Sequence, residues 1–471
     1  MVIWALLLTF IVLLITAIFL FKKELMQPSI IMLSMYVFSI ICAAINIERW
    51  EMDLSWELYG ILTGGALLFM TVNLMVNWLY KKRKGKKELT TELTDKQKKK
   101  IFSPIIIGKW KIYVLVLFDI VTLVLTVTSV LNIAGQFGDY SNYSEALNLY
   151  KANVSYSHNA TMPDYVNWMM RIVMAGGYIC LVFFVHNVVF SEQKIWERIK
   201  NNFLYLLPVI CLVVRYLLVS NRGDILRLVI GAISLGLIFW FCKGRWKKYI
   251  KPKTLIKMAV IIVIGLVVFY ASSTLVGRNV KDNKGLVNYT TMYVGGSIYN
   301  FDSYLKDPVG EKYFGVETFP DLVSKLNELG VIDLGGVEYT QHLEHRYAPN
   351  GLHTGNVFTA FRRWLHDFGV GGMIILQTLM ALFFAWIYNF LKYNWKKQSD
   401  LYMLVAVLFA ITEYYLFLHS IDGIFFNLVI SISFVIQIAI IVIGYFVLRY
   451  WKKDSKVDES KTSQERLDEK I

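Results

Sequence analysis

Charge is scarce in this chain: Asp, Glu, Lys and Arg make up 18% of its 471 residues, against about 25% in a soluble globular protein. With 56% hydrophobic and 15% aromatic residues, water is not the main solvent, and the composition is that of a membrane protein. Cysteine is nearly absent. Cys42, Cys180, Cys211 and Cys242 lie inside apolar segments. None stands in a CxxC or Cys/His spacing, which excludes a zinc framework or a disulfide scaffold and leaves them as small buried hydrophobes. A cleavable leader is missing too. Met1 is followed at once by Val2, Ile3 and Trp4, with no basic segment and no small-residue cleavage site, so the first apolar run reads as a retained helix. No DxD-like pair stands out in the hydrophilic stretches, which argues against a divalent-cation site. No metal and no cofactor is expected.

What is present in quantity is apolar sequence in lengths that fit a bilayer. Crossing about 30 Å of hydrocarbon takes about twenty residues, and such windows occur at 2–21, 28–47, 58–80, 112–134, 166–190, 202–220, 224–242, 255–276, 371–392, 400–418 and 425–449. The expected fold is an all-α polytopic bundle of about eleven transmembrane helices. Residues 1–453 would form one domain, with a large extracytoplasmic stretch at 277–370 and a charged cytoplasmic tail at 454–471. The net charge of +14 does not imply nucleic acid, because the basic residues cluster beside the apolar windows, as in Lys81, Lys82, Arg83, Lys84, Lys86 and Lys87. That is how cytoplasmic flanks look. Placing Lys22 and Lys23 inside makes every second loop basic, through Lys194, Arg198 and Lys200, then Lys243 to Lys251, then Lys392, Lys396 and Lys397, then Arg449 to Lys453. The N-terminus is then outside and the C-terminus cytoplasmic.

Several polar side chains fall within the windows, where charge is costly: Asp119, Arg171, His186, Arg215, Arg227 and Glu413. Such residues face an interior or a wet cavity, although Arg171 is placed to snorkel and His186 with Asn187 to bond between helices. The stretch 277–370 is far longer than an ordinary loop. It holds an aromatic-rich run from Tyr293 to Tyr304 and an amphipathic run from Pro320 to Leu329, with Leu322, Val323, Leu326 and Leu329 at helical spacing and Gly330 as the stop. Thr354 to Gly369 is the most chemically loaded segment. With Thr354 as its cap, a helix there puts Arg362 and His366 on one face and Arg363 with Asp367 on the next. An Arg and a His side by side can hold a diphosphate and move a proton. The plainer alternative is an Arg363–Asp367 surface ion pair with Trp364 and Phe368 as anchors. Between two windows, Ser220-Asn221-Arg222-Gly223-Asp224 forms a box in which Asn221 caps and Asp224 faces the first turn. Arg222 opposes the dipole there, which suits a bound anion. Arg278 at the same face adds a further cation or simply flanks the membrane.

The Asn221-Arg222-Gly223-Asp224 turn, Gly295-Gly296-Ser297-Ile298 followed by Asp302 and Tyr304, and Asn356-Val357-Phe358-Thr359-Ala360-Phe361-Arg362 with Asp367-Phe368-Gly369 resemble the oligosaccharide repeat-unit polymerases of the Wzy type. The helix count and the large late outer loop extend the likeness. The paired Arg-x10-Gly pattern of some members is absent, since Ile233 and Met373 stand at that spacing. The resemblance implies a fold similar to the helical membrane glycosyltransferases. It also implies glycosyl transfer between undecaprenyl-diphosphate-linked oligosaccharides at the outer face of a bacterial cytoplasmic membrane, with a flippase and a chain-length regulator as partners beside the membrane lipid. By that analogy Arg222, Arg278, Arg362 and Arg363 would hold the diphosphate. His366 would be the general base, with Asp224 and Asp367 as catalytic alternatives, and Tyr299, Asp302, Tyr304, Asn356 and His419 would meet the sugars. A ligase of the same build, or a flippase or transporter of lipid-linked glycan, is the alternative.

Overall fold

The computed structural model describes residues 1–84, 92–156, 159–246, 285–309, 314–333 and 343–451. The apolar windows fold as helices because a chain in hydrocarbon must satisfy its own backbone polar groups. In order these are α1 (Val2–Leu20), α2 (Pro28–Ala44), α3 (Trp56–Lys84), the short α4 (Asp95–Phe102), α5 (Lys109–Gly135), α6 (Tyr143–Lys151) and α7 (Asp164–Phe190). Then come α8 (Ile195–Asn202), running through one 3-10 turn into α9 (Leu206–Leu218), α10 (Arg222–Lys243), α11 (Leu286–Lys306) and α12 (Pro320–Glu328). A two-residue strand β1 (Arg346–Tyr347) pairs antiparallel with β2 (His353–Gly355). The chain ends in α13 (Phe361–Asn394), α14 (Asp400–Leu418), α15 (Phe425–Val429) and α16 (Ile432–Tyr450).

Among the described residues nine helices are long and apolar enough to cross a membrane: α1, α3, α5, α7, the α8–α9 run, α10, α13, α14 and α16. The expected crossing at 255–276 lies outside the described residues. The window at 28–47 becomes α2, whose 17 residues reach only about 26 Å at about 1.5 Å each, short of a full span. It is the most enclosed of the early helices, with Met32, Leu33, Tyr36 and Ile40 buried. The window at 425–449 is broken, because the Ser431 hydroxyl accepts from the Phe434 amide at 3.0 Å and starts a new helix there. Outward side chains such as Leu8, Val12, Ile15 and Phe19 on α1 are exposed and apolar, which suits lipid tails.

Contacts sort the helix ends into two sets. At one end Lys392 Nζ reaches the Glu24 carboxylate at 2.6 Å, Lys111 donates to the Leu448 carbonyl at 2.9 Å and Tyr445 donates to Asp400 at 2.8 Å. At the opposite end the start of α3 is tied to α11, since Asp302 accepts from the Ser55 amide at 2.9 Å.

The whole aromatic-rich run expected in a loop lies in α11, a helix wedged into that second end of the bundle. Its Gly-Gly-Ser sequence explains how. A Cβ on Gly295 would lie 2.4 Å from the Ala43 amide nitrogen, and one on Gly296 would lie 2.6 Å from the Thr354 carbonyl oxygen. The Ser297 hydroxyl donates to the Ser420 carbonyl at 2.7 Å. Only glycine permits these backbone approaches. Gly295→Ala is therefore expected to destabilise the protein by about 1–3 kcal/mol through overpacking, read as a lower unfolding midpoint in detergent; an unchanged midpoint would show that the crossing is loose.

The amphipathic run at 320–329 is a helix as expected, ended by Leu329 and by Gly330 at φ +69°, though of its apolar residues only Pro320 and Val323 are buried. Thr354 does not cap the helix carrying Arg362. It belongs to β2, where its hydroxyl donates to Asn300 Oδ1 at 2.7 Å, and α13 starts later, at Phe361. That helix is also continuous with the crossing expected at 371–392, bent at Gly369, whose φ of 66° and ψ of −168° interrupt it.

Candidate functional site

Four pieces of chain meet at the α11 end of the bundle: α11, the turn at 314–319, the β1–β2 ribbon with its exit, and the first two turns of α13. Asn300 fastens the ribbon by donating its side-chain amide to the carbonyls of Thr354 at 3.3 Å and Val357 at 2.9 Å. The start of α13 is fastened by its backbone. The Ala360 amide donates to the His419 carbonyl at 3.0 Å, and Gly423 leaves room for Ala360, whose carbonyl oxygen a Cβ would approach to 2.7 Å.

On this frame sits a dense polar network around Glu317. Arg362, 1% exposed, pairs with Glu317 through Nη1 and with Glu344 through Nη2, the latter at 2.9 Å. Its guanidinium lies over the Tyr304 ring, 4.3 Å from the centroid, and near the Phe358 ring. The second oxygen of Glu317 faces His366 Nε2 at 3.6 Å, and His366 Nδ1 lies 3.0 Å from the Tyr304 hydroxyl. One carboxylate thus joins the Arg and the His that helical spacing had placed on a common face. Burial pushes the Tyr304 phenol above its ordinary range, against the pull of the Arg362 cation, so the hydroxyl keeps its proton near neutrality. With Nε2–H toward the Glu317 carboxylate, Nδ1 is the nitrogen that accepts from Tyr304.

Asp367 is a supporting residue. Its carboxylate accepts from the amides of Thr318 at 2.7 Å and Glu317 at 3.4 Å, which sets the turn that carries Glu317. The Arg363–Asp367 surface pair does not form. Arg363 is buried and pairs with Asp422 at 3.1 Å, and Asp422 also accepts from the Gly423 amide. Donor atoms of Glu317, His366 and Asp367 lie within 4.8 Å of one another. A permanent guanidinium already occupies the charge position a cation would take beside Glu317, so this donor set fits a metal poorly.

The other expected site residues are placed as follows. Arg222 is buried in the first turn of α10. Gly223 lies beside the Tyr414 hydroxyl, 3.7 Å from where its Cβ would stand, near the end of α14 that leads to Asp422. The 221–224 turn and the Arg362 network therefore share one end of the bundle. The capping box at Asn221 is not made: Asn221 donates its amide to the Asp224 side chain at 2.5 Å, and Asp224 is held by Arg227. Both its oxygens are engaged within the turn. Asp302, read as a sugar contact, is 2% exposed and bound to Ser55 and Lys306. It is a tether. His419, also read as a sugar contact, is fully buried. Its Nε2 donates to Gln377 Oε1 at 2.8 Å and its Nδ1 accepts from Tyr36 at 3.0 Å, and burial pushes its pKa down to about 3. Both nitrogens are used inside the scaffold, so it cannot reach a sugar. Tyr299, with its ring 6.0 Å from Trp50, and Asn356 are half-buried near the rim. Tyr304 belongs to the network rather than to a stacking surface. Arg278 lies outside the described residues.

Glu317, Glu344 and Asp422 were missed. Their partners stand 45, 18 and 59 residues away, a separation at which no helical spacing gives a signal. Comparisons with family models, with characterised proteins and with solved structures return no match.

Proposed function

We propose that the protein joins undecaprenyl-diphosphate-linked oligosaccharide repeats into a longer glycan at the outer face of a bacterial cytoplasmic membrane, as a Wzy-type polymerase. The observation that carries this reading is Glu317, whose carboxylate joins a buried Arg362 to His366. The full architecture it entails has about eleven crossings, the N-terminus outside and the network within the large outer stretch.

In the transfer, the bond between the anomeric carbon and the diphosphate oxygen breaks, and the acceptor hydroxyl oxygen forms the new glycosidic bond. The hydroxyl proton passes to the Glu317–His366 pair, which the Tyr304 hydroxyl orients. Undecaprenyl diphosphate leaves with the electron pair, and Arg362 stabilises the charge that builds on it. Its Nε is buried without an acceptor among the described residues, so one donor remains for an oxyanion. Glu317 and Glu344 are the more accessible members, with side chains 15% and 24% exposed, and substrate approaches from their side.

A second reading, a transporter of the same lipid-linked glycan, draws on the carboxyls of Asp119 and Glu413. Both are buried in crossing helices with no hydrogen-bond partner among the described residues, and intramembrane carboxyls mark ion or substrate paths in transporters. Purified protein in liposomes with the lipid-linked oligosaccharide separates the two. Longer glycans together with free undecaprenyl diphosphate are expected. Movement of the glycan across the bilayer with its diphosphate bond intact would replace the polymerase by the transporter, and transfer of finished chains to an acceptor off the carrier would replace it by a ligase.

A further inference from the structure

Away from the Glu317 network, a cavity of about 450 Å³, within the size range of ligand pockets, is lined by three arginines from three helices: Arg171 of α7, Arg215 of α9 and Arg227 of α10. Arg171 lies seven residues into its helix, Arg227 five residues into its own and Arg215 three residues from the end of its own. At about 1.5 Å per residue all three sit roughly 5–10 Å below the helix ends, the depth of headgroups and first methylenes in one leaflet.

Among the described residues the arginines outnumber the acids beside them. Asp164 is the only carboxylate among the described lining residues. Asp224 pairs with Arg227. Arg227 is 6% exposed and bonds Tyr415 through Nη1 at 2.9 Å, yet its Nε has no partner among the described residues, and neither has the Nε of Arg215. Two guanidinium groups lining one cavity therefore keep a buried, unused donor, which costs free energy unless an acceptor arrives. Arg171 closes the remaining side, anchored to the Ser433 carbonyl at 2.8 Å with its guanidinium over the Trp168 ring. Trp168 of the lining is 51% exposed, and Ile432 and Val435, which flank the lining residues Ser433 and Phe434 in sequence, are 49% and 66% exposed, an apolar surface for acyl chains.

We propose that this cavity holds the phosphate of an anionic phospholipid, with the guanidinium donors on its oxygens and the acyl chains lying along the apolar rim. The inference stands independently of the polymerase reading, because it uses none of the residues of the Glu317 network. The test is native mass spectrometry of the full chain from nanodiscs of phosphatidylglycerol mixed equally with phosphatidylcholine. Wild type should retain phosphatidylglycerol at least about tenfold over phosphatidylcholine, and Arg171→Gln with Arg215→Gln should abolish that preference. Equal retention of both lipids by wild type would overturn the proposal without any variant. Displacement of the retained lipid by millimolar inorganic phosphate would overturn its lipid source, and displacement by undecaprenyl diphosphate in preference to phosphatidylglycerol would reassign the cavity to a carrier lipid.

Discussion

Arg362→Ala will abolish chain extension and also loosen the outer network, by about 3–5 kcal/mol, the cost of leaving buried charge without its partner. Both effects follow from one geometry. The guanidinium is enclosed between Glu317, Glu344 and the Tyr304 ring, so its removal leaves Glu317 facing only His366 and Glu344 held by Arg346 alone. A thermal shift alone would therefore not identify a functional residue. The double variant Glu317→Gln with Arg362→Ala separates the contributions: removing the Glu317 charge that Arg362 had paired should recover much of the unfolding midpoint and none of the chain extension. Full-length glycan from Arg362→Ala protein would remove Arg362 from the mechanism.

His366→Gln should lower glycan extension about 10²–10⁴-fold, the usual contribution of a positioned acid–base group, with only a modest change in stability. Glutamine can still donate toward Glu317 and accept from Tyr304, so the hydrogen-bond frame survives while the imidazole is lost. The expected readout is single repeats or very short chains from protein that inserts normally. Tyr304→Phe should cost far less, since it removes an orienting hydroxyl and leaves the ring under Arg362. A rate for His366→Gln within a factor of two of wild type would exclude the imidazole from proton transfer.

The helices were legible because hydrocarbon imposes a length and a polarity on each window, and α3, α5, α7, α10 and α14 fall close to the windows expected for them. Arg362 and His366 could be paired from sequence because their spacing is local. Glu317 could not, because the turn that carries it is placed by Asp367 and Thr318 through a tertiary contact. The α11 run misled in the opposite sense. Its tyrosines stood in a long stretch read as an outer loop, whereas the run is a helix whose glycines serve backbone contact with α2 and the ribbon. The Asn221 box failed for a related reason: Arg227, one turn on, competes for Asp224, and a charged partner outbids a neutral cap.

His419 has a consequence for behaviour in acid. It sits beneath Phe361 and Trp364, with ring centroids at 5.2 and 5.7 Å, and so underlies the segment that carries Arg362 and His366. Its neutral form is held down to about pH 3, while an unfolded chain would take up the proton near pH 6.5. Between those values the unfolded state binds the extra proton, so acidification over that range erodes the scaffold while this ring stays neutral in the folded protein. A loss of turnover between pH 8 and pH 7 therefore cannot be charged to His419 and falls to groups that titrate in place. A slower, irreversible loss below pH 6 would carry the signature of the foundation giving way.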